Sequence, residues 1–240
     1  MAVLATKTVN DQLVYYDASC SWRWLDAFGP NVVKFIEEGV ATPYAAANSL
    51  AHMTTTLVNL STIANAAGAT GGALLITTAA AEHDGVNLQA VGEAFYFASA
   101  WPCYFGTKLQ MSHATESVLW AGMGLTDTNW DTGAPNDYIA FYKADGGITC
   151  DFVISQAGAA TTTAAVHSFV AATDVILEWY YDGVNVYAYV NGTLAATVAV
   201  SNANFPNTEY LTPTIDFTTG SGNARTCQID WIRAIQIQNP

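Results

Sequence analysis

Asp174-Val-Ile-Leu-Glu-Trp-Tyr-Tyr-Asp182-Gly183-Val-Asn-Val-Tyr-Ala-Tyr-Val-Asn191-Gly192-Thr-Leu-Ala-Ala-Thr-Val-Ala-Val200 holds three β-favouring runs separated by two turn dipeptides. Asp-Gly and Asn-Gly tolerate the positive φ angles of a two-residue type I′ turn, whose twist suits antiparallel strands. The stretch predicts a three-stranded meander and sets the fold class as all-β. It contains no nucleophile, base or metal ligand in a recognisable arrangement, which argues against an enzyme.

Outward from the meander, the same signals recur. Strands are expected at Leu74–Thr78, Val86–Gln89, Ala94–Ala98, Tyr104–Ser112, Ser117–Gly124, Asp137–Lys143, Ile148–Ile154 and Val166–Val170. Leu211–Thr218 and Thr226–Gln238 follow the meander. Asp84-Gly85, Asp145-Gly146-Gly147 and Gly220-Ser221-Gly222 punctuate them. About ten short strands at turn spacing, with hardly any helical periodicity, predict a sandwich of two antiparallel sheets, and the expected form is a jelly roll. In the last run, Ile229, Trp231 and Ala234 or Ile235 alternate against polar residues, as in an outer strand.

The first 65 residues are less regular and read as an N-terminal arm with the first strands, packed on or reaching from a sandwich of residues 66–240, the whole forming one domain. Val32 to Val40 suits a helix, with Pro30 before it and Gly39 near its end, or equally a strand. Ala45 to His52 reads as a short helix or an irregular arm, Thr54 to Leu60 as a strand, and Ala66 to Gly72 as a loop.

The chain has 240 residues, 20 acidic and 7 basic, with a formal net charge of −13. Its basic residues are scattered, so no stripe exists to neutralise phosphates and nucleic acid is not an expected partner. No apolar run approaches the roughly 18 residues of a membrane span, and Met-Ala-Val-Leu-Ala-Thr-Lys7 lacks a secretory n-region and h-region, so neither membrane insertion nor export is expected. Charged residues are only 11% of the chain, which suggests a surface covered by partners. Cys20, Cys103, Cys150 and Cys227 are too widely spaced for a zinc motif and are expected to be reduced thiols.

The meander hairpins and the closing Ile229-Asp230-Trp231-Ile232-Arg233 resemble the concanavalin A-like, laminin-G-like jelly-roll superfamily. Several stretches are more narrowly similar to virion proteins of tailed phages built on that fold. These are Leu75–Gln89, Phe95-Tyr-Phe, Tyr104–Leu109, Gly122–Asp127, Asp137–Phe141 and Leu211–Ile215. The resemblance implies a non-enzymatic structural protein of the virion that decorates or cements the capsid. Its partners would be the major capsid protein or other virion subunits, in a homo-oligomer, with a trimer preferred. The alternative is a carbohydrate-binding, lectin-like module of a head or tail fibre that meets a host-surface glycan. Hydrolases of the superfamily carry Glu-x-Asp-x-x-Glu, and no such triplet occurs here.

Two candidate sites remain. The aromatics read first as core or interface packing; Trp130, Tyr187 and Tyr189 are the alternative candidates to stack on sugar rings, Trp130 foremost because it lies in a turn-rich loop. Asp127, Asn129 and Asp131 place oxygens at i, i+2 and i+4, the opening of a calcium-loop pattern. The Gly at the sixth position and the Glu at the twelfth are missing, so no cofactor is expected, and a structural Ca²⁺ is the alternative to a solvated turn.

Overall fold

The computed structural model describes residues 4–39, 50, 52–69, 71–97 and 101–238. Two large antiparallel sheets face each other. The back sheet runs β17 (Thr193–Ala199), β16 (Asn185–Val190), β15 (Val175–Tyr181), β10 (Cys103–Met111), β19 (Thr226–Ile237), β7 (Leu74–Thr77) and β6 (Thr62–Asn65), and β4 (Val32–Glu37) also pairs with β19. The front sheet runs β14 (Ala159–Ser168), β13 (Thr149–Gln156), β12 (Tyr138–Lys143), β11 (Ser117–Gly124), β18 (Tyr210–Thr219), β8 (Gly85–Ala90) and β5 (Met53–Leu57), and β9 (Phe95–Tyr96) also pairs with β18. Among the described residues there is no helix, as the turn spacing predicted.

Alternation builds the core between the sheets. Leu119, Ala121 and Met123 of β11, Ile139 and Phe141 of β12, and Ile215 and Phe217 of β18 point inward against Phe105, Leu109, Leu177, Trp179 and Ile232 of the back sheet. Burying side chains of this size contributes about 1.5–3 kcal/mol each. Pro213 sits in a central strand without cost to the ladder. On that side pairing with β9 ends at Leu211 and pairing with β8 begins at Thr214, so its missing N–H falls in the gap.

The meander forms as expected, but its two turns differ. Asn191 and Gly192 both have positive φ, the type I′ pair. At the other end Gly183 and Val184 are the central residues. Only Gly183 has positive φ, which is the type II′ pattern, and Asp182 stands outside, capping Val184 N and Asn185 N with its carboxylate.

Several elements differ from their sequence expectation. Of Val32 to Val40, Val32–Glu37 form strand β4, and Val40 lies outside the described residues. Most of Ala45 to His52 lies outside the described residues. The Ala/Thr run from Ala159, outside the expected Val166–Val170 strand, is most of β14, which begins after a tight turn at Ala157-Gly158, both at positive φ. An edge strand exposed along most of its length has no core to dictate alternation, so its pattern is silent. In β19 the phase slips. Lys108 pairs with Trp231 while Leu109 pairs with Ile229, so Asp230 is an extra residue in a β-bulge. Ile229, Ile232 and Ala234 go to the core and Trp231 does not, contrary to the regular alternation expected.

The N-terminal residues form a third sheet, β1 (Leu4–Val9), β2 (Gln12–Asp17) and β3 (Cys20–Phe28), with an Asn10-Asp11 turn of positive φ. It lies on the outer side of the back sheet. Val14, Trp24 and Ala27 pack with Tyr104, Ile235 and Ile237. Arg23 Nε and Nη2 donate to Glu178 Oε1 and Oε2 at 2.6 and 2.5 Å, and the Tyr104 hydroxyl donates to Glu178 Oε1 at 2.8 Å. Glu178, alone in the sequence, is fully buried under this clamp. The four cysteines are free thiols.

Candidate functional site

The side of the front sheet turned away from the core carries an aromatic and polar row. Cross-strand register sets Thr56 beside Asn87, Asn87 beside Asp216, Asp216 beside Trp120, Trp120 beside Tyr142, and Tyr142 beside Asp151. Neighbouring strands lie about 4.8 Å apart, so this row spans six strands across the sheet. Trp120 and Tyr142 stack at 4.0 Å and 25°.

The segment from Leu125 to Asp137 folds over one part of the row. Trp130 N donates to Asp216 Oδ2 at 2.9 Å, and Asn87 Nδ2 donates to the same oxygen at 2.9 Å. Asp127 N donates to Gln89 Oε1 at 2.9 Å. The Trp130 indole rests on Gly124, where a Cβ would stand 2.5 Å from the ring. Gly124→Val is expected to expel this indole; the check is a loss of Trp130 protection in oxidative footprinting with the front sheet's amide protection retained.

Asp216 is 1% exposed, and burial pushes its pKa up to about 7. The hydrogen bonds from Asn87 and Trp130 pull it down, while Asp131 and Asp127 push it further up. Its Oδ1 has no partner, and neither has Oδ1 of Asn87. A proton on Asp216 gives that oxygen a donor to share, so the neutral acid suits this site. Asp131 Oδ2 meets Thr218 Oγ1 at 2.8 Å and His83 Nδ1 at 2.8 Å, and this contact raises the His83 pKa. Asp216 and Thr218 are two residues apart on one strand face, an interval of about 7 Å. The Asp131 carboxyl, held on Thr218, therefore lies close enough to Asp216 to raise its pKa. Tyr142, half-buried, feels Asp131, Asp151 and Asp145, which add to the rise that burial gives its pKa.

The residues singled out in the sequence do not converge. Trp130 is 1% exposed, edge-on to Trp120 at 5.8 Å and 71°, with neither face open to a sugar, so its expected role as the foremost stacking platform is corrected. Tyr187 and Tyr189 lie on β16, on the outer side of the back sheet. Tyr189 is stacked on Trp22 at 4.2 Å and 7°, and the Tyr187 hydroxyl accepts from Asn185 Nδ2. Alternation revealed which tyrosines share a face, but not which sheet they belong to or what covers them.

Asp127, Asn129 and Asp131 close their own loop. Asp127 Oδ1 accepts from Thr128 N and Asn129 N, and Asn129 Oδ1 accepts from Asp131 N and Thr132 N. Among the described residues no group of three or more His, Cys, Asp or Glu is placed to hold a metal ion. Sequence reasoning missed Asp216, Asn87, His83, Trp120 and Tyr142. For Asp216 a signal existed: an acid at the outward position between Ile215 and Phe217.

No family model and no curated protein matches the sequence. Solved structures do match the fold. A Shewanella oneidensis protein of unknown function is 11% identical with a TM-score of 0.62, covering 87% of each chain. An endo-1,3-β-glucanase from Streptomyces sioyaensis is 10% identical with a TM-score of 0.60, covering 89% of this chain and 99% of its own. A GH16 protein of the Bacteroides ovatus mixed-linkage glucan locus, bound to a glucan product, is 8% identical with a TM-score of 0.59, covering 82% and 98%. The expectation of a non-enzyme is corrected by this finding, since the sandwiches that share the architecture include endo-glucanases. That expectation rested on the meander's lack of catalytic groups, on the resemblance to virion proteins and on the missing linear triplet. At these identities the likeness bears on architecture, and the chain is a concanavalin A-like jelly-roll sandwich.

Proposed function

We propose that the outer front face engages and cleaves a β-linked glucan. The observation that carries this reading is the Trp120–Tyr142 stack lying in one row with Asp216 and beside Asp131. Tyr142 offers an aromatic surface to a pyranose ring, and Asp151 at the end of the row accepts from its hydroxyls. With the Trp130 indole turned out of the row while Asp131 keeps its contacts to Thr218 and His83, Asp216 donates its proton to the glycosidic oxygen as the bond to the anomeric carbon breaks. Asp131, oriented by His83 and Thr218, takes a proton from the water that adds to that carbon. Water activated on the side opposite the leaving group gives inversion of configuration.

The test is release of reducing ends from laminarin and mixed-linkage glucan. Asp216→Asn and Asp131→Asn are expected to lower kcat by about 100-fold or more, while Tyr142→Ala raises KM. A native protein that neither binds nor cleaves these glucans overturns the reading.

The setting we propose is the virion of a tailed phage, on a head or tail fibre that meets a host-surface glycan, in contact with capsid or other virion subunits and as a homo-oligomer. What supports it is the sequence likeness from Leu75 onward. Co-sedimentation of the protein with purified virions is the expected result, and its absence from them removes the setting but not the glucan reading.

A further inference from the structure

Among the described residues, the N-terminal sheet sits on Tyr104, Ile235 and Ile237, and beyond Gly106 the outward Lys108, Gln110, Gln228 and Asp230 are partly exposed. There two adjoining hollows of about 170 and 160 Å³ share Asp230 as a common wall. The first is lined by Lys108, Gln110, Asp174 and Gln228 among others, and the second by Trp231 and Glu38. Each is about half of the roughly 300 Å³ at which small-molecule sites begin.

The bulge in β19 makes this lining. A regular strand turns one residue of each neighbouring pair inward. The extra residue at Asp230 lets both Asp230 and Trp231 stand outside the core while Ile229 and Ile232 on either side fill it. Lys108 Nζ is then held by Asp230 Oδ2 at 2.6 Å and Asp174 Oδ2 at 3.0 Å, which fixes the ammonium and cancels its charge. The Arg233 guanidinium backs the Trp231 indole, 4.9 Å from its ring centre, and is itself anchored to Glu38 at 2.7 Å. Nε of Arg233 is buried and has no partner.

We propose that this bulge-built hollow is a second saccharide site, separate from the front face, that takes a neutral hexose unit of a glycan. An indole wall suits the C–H face of a pyranose. Carboxylates and amides at the rim (Asp174, Asp230, Gln110 and Gln228) pair with vicinal hydroxyls, which both donate and accept. A phosphorylated or carboxylated ligand does not fit, because Lys108 is already neutralised by two carboxylates. A cationic ligand would compete with Lys108 for those same carboxylates.

Isothermal titration with laminarihexaose and with cellohexaose tests the site, on an Asp216→Asn background to prevent turnover. Binding to this background protein is expected to weaken by about tenfold or more in Trp231→Ala. Asp230→Asn, which keeps side-chain size and answers for any folding defect of the first variant, is expected to weaken it severalfold. Tyr142→Ala should leave this component in place. Saturable binding that Trp231→Ala removes and Tyr142→Ala does not supports the hollow even where the front-face reading fails. Titrations of Trp231→Ala and Asp230→Asn that overlay the background protein's overturn it, as does the absence of heat from either hexasaccharide at millimolar concentration.

Discussion

At pH 8 the Asp216→Asn variant should be more stable than the native protein by roughly 3–4 kcal/mol, and below pH 4 the two should converge. The native carboxyl has its pKa pushed from 3.8 to about 7, chiefly by burial. Between those values the folded chain holds a proton that the unfolded chain has released. Stability therefore falls as pH rises through this window, and above about 7 the full penalty is in place. At about 1.36 kcal/mol per pH unit the displacement costs on the order of 4 kcal/mol. Asparagine has nothing to ionise. Its amide can donate to the unpartnered Asn87 Oδ1 and still accept from Asn87 Nδ2 and Trp130 N, copying the neutral acid. Lys143, which donates to the carbonyls of Thr115 and Ser117, is pushed down to about 8 by burial, so the comparison belongs at pH 8 and below. Urea unfolding at pH 4, 6 and 8 reads the difference directly. A native protein as stable at pH 8 as at pH 5, with no gain from the substitution, would show that Asp216 ionises without cost.

The second large effect belongs to the N-terminal sheet. Arg23→Ala should destabilise the protein by about 3–5 kcal/mol, because it strands the buried Glu178 carboxylate with only the Tyr104 hydroxyl to hold it. Burial and Glu178 together already push the Tyr104 pKa well up, so that hydroxyl stays protonated and cannot replace a cation. The loss should appear as early exposure of Trp24, which packs edge-on against Tyr180 at 5.6 Å. Glu178→Leu made together with Arg23→Ala should recover most of the loss, since a well-packed apolar pair often equals a buried ion pair. If the double variant is no more stable than Arg23→Ala alone, the cost lies in packing rather than in an unpaired charge.

The sandwich was legible wherever a strand has one buried face. Ser117–Gly124, the meander and Leu211–Thr218 announce themselves because their inward residues must be apolar. Legibility failed where that constraint lapses. Exposed β14 needs no apolar alternation, and the N-terminal strands carry mixed aromatics because they cover another sheet's outer side and not the main core. The candidate site was less legible still. Asn87, Trp120 and Asp216 come from three strands spread over about half of the chain, and only cross-strand register makes them neighbours. Trp130 was conspicuous for lying in a loop, yet the loop is a roof and the indole its underside.

Asp230 has a standing of its own in the arithmetic of β19. Omitting it would let Leu109 and Lys108 meet Ile229 and Trp231 in unbroken sequence, with β7 and β4 keeping their partners on either side. Every other side chain in the strand would face as it does now. The register on either side of this residue is that of a regular ladder, so the back sheet carries at that point a supernumerary link whose side chain is turned to the surface.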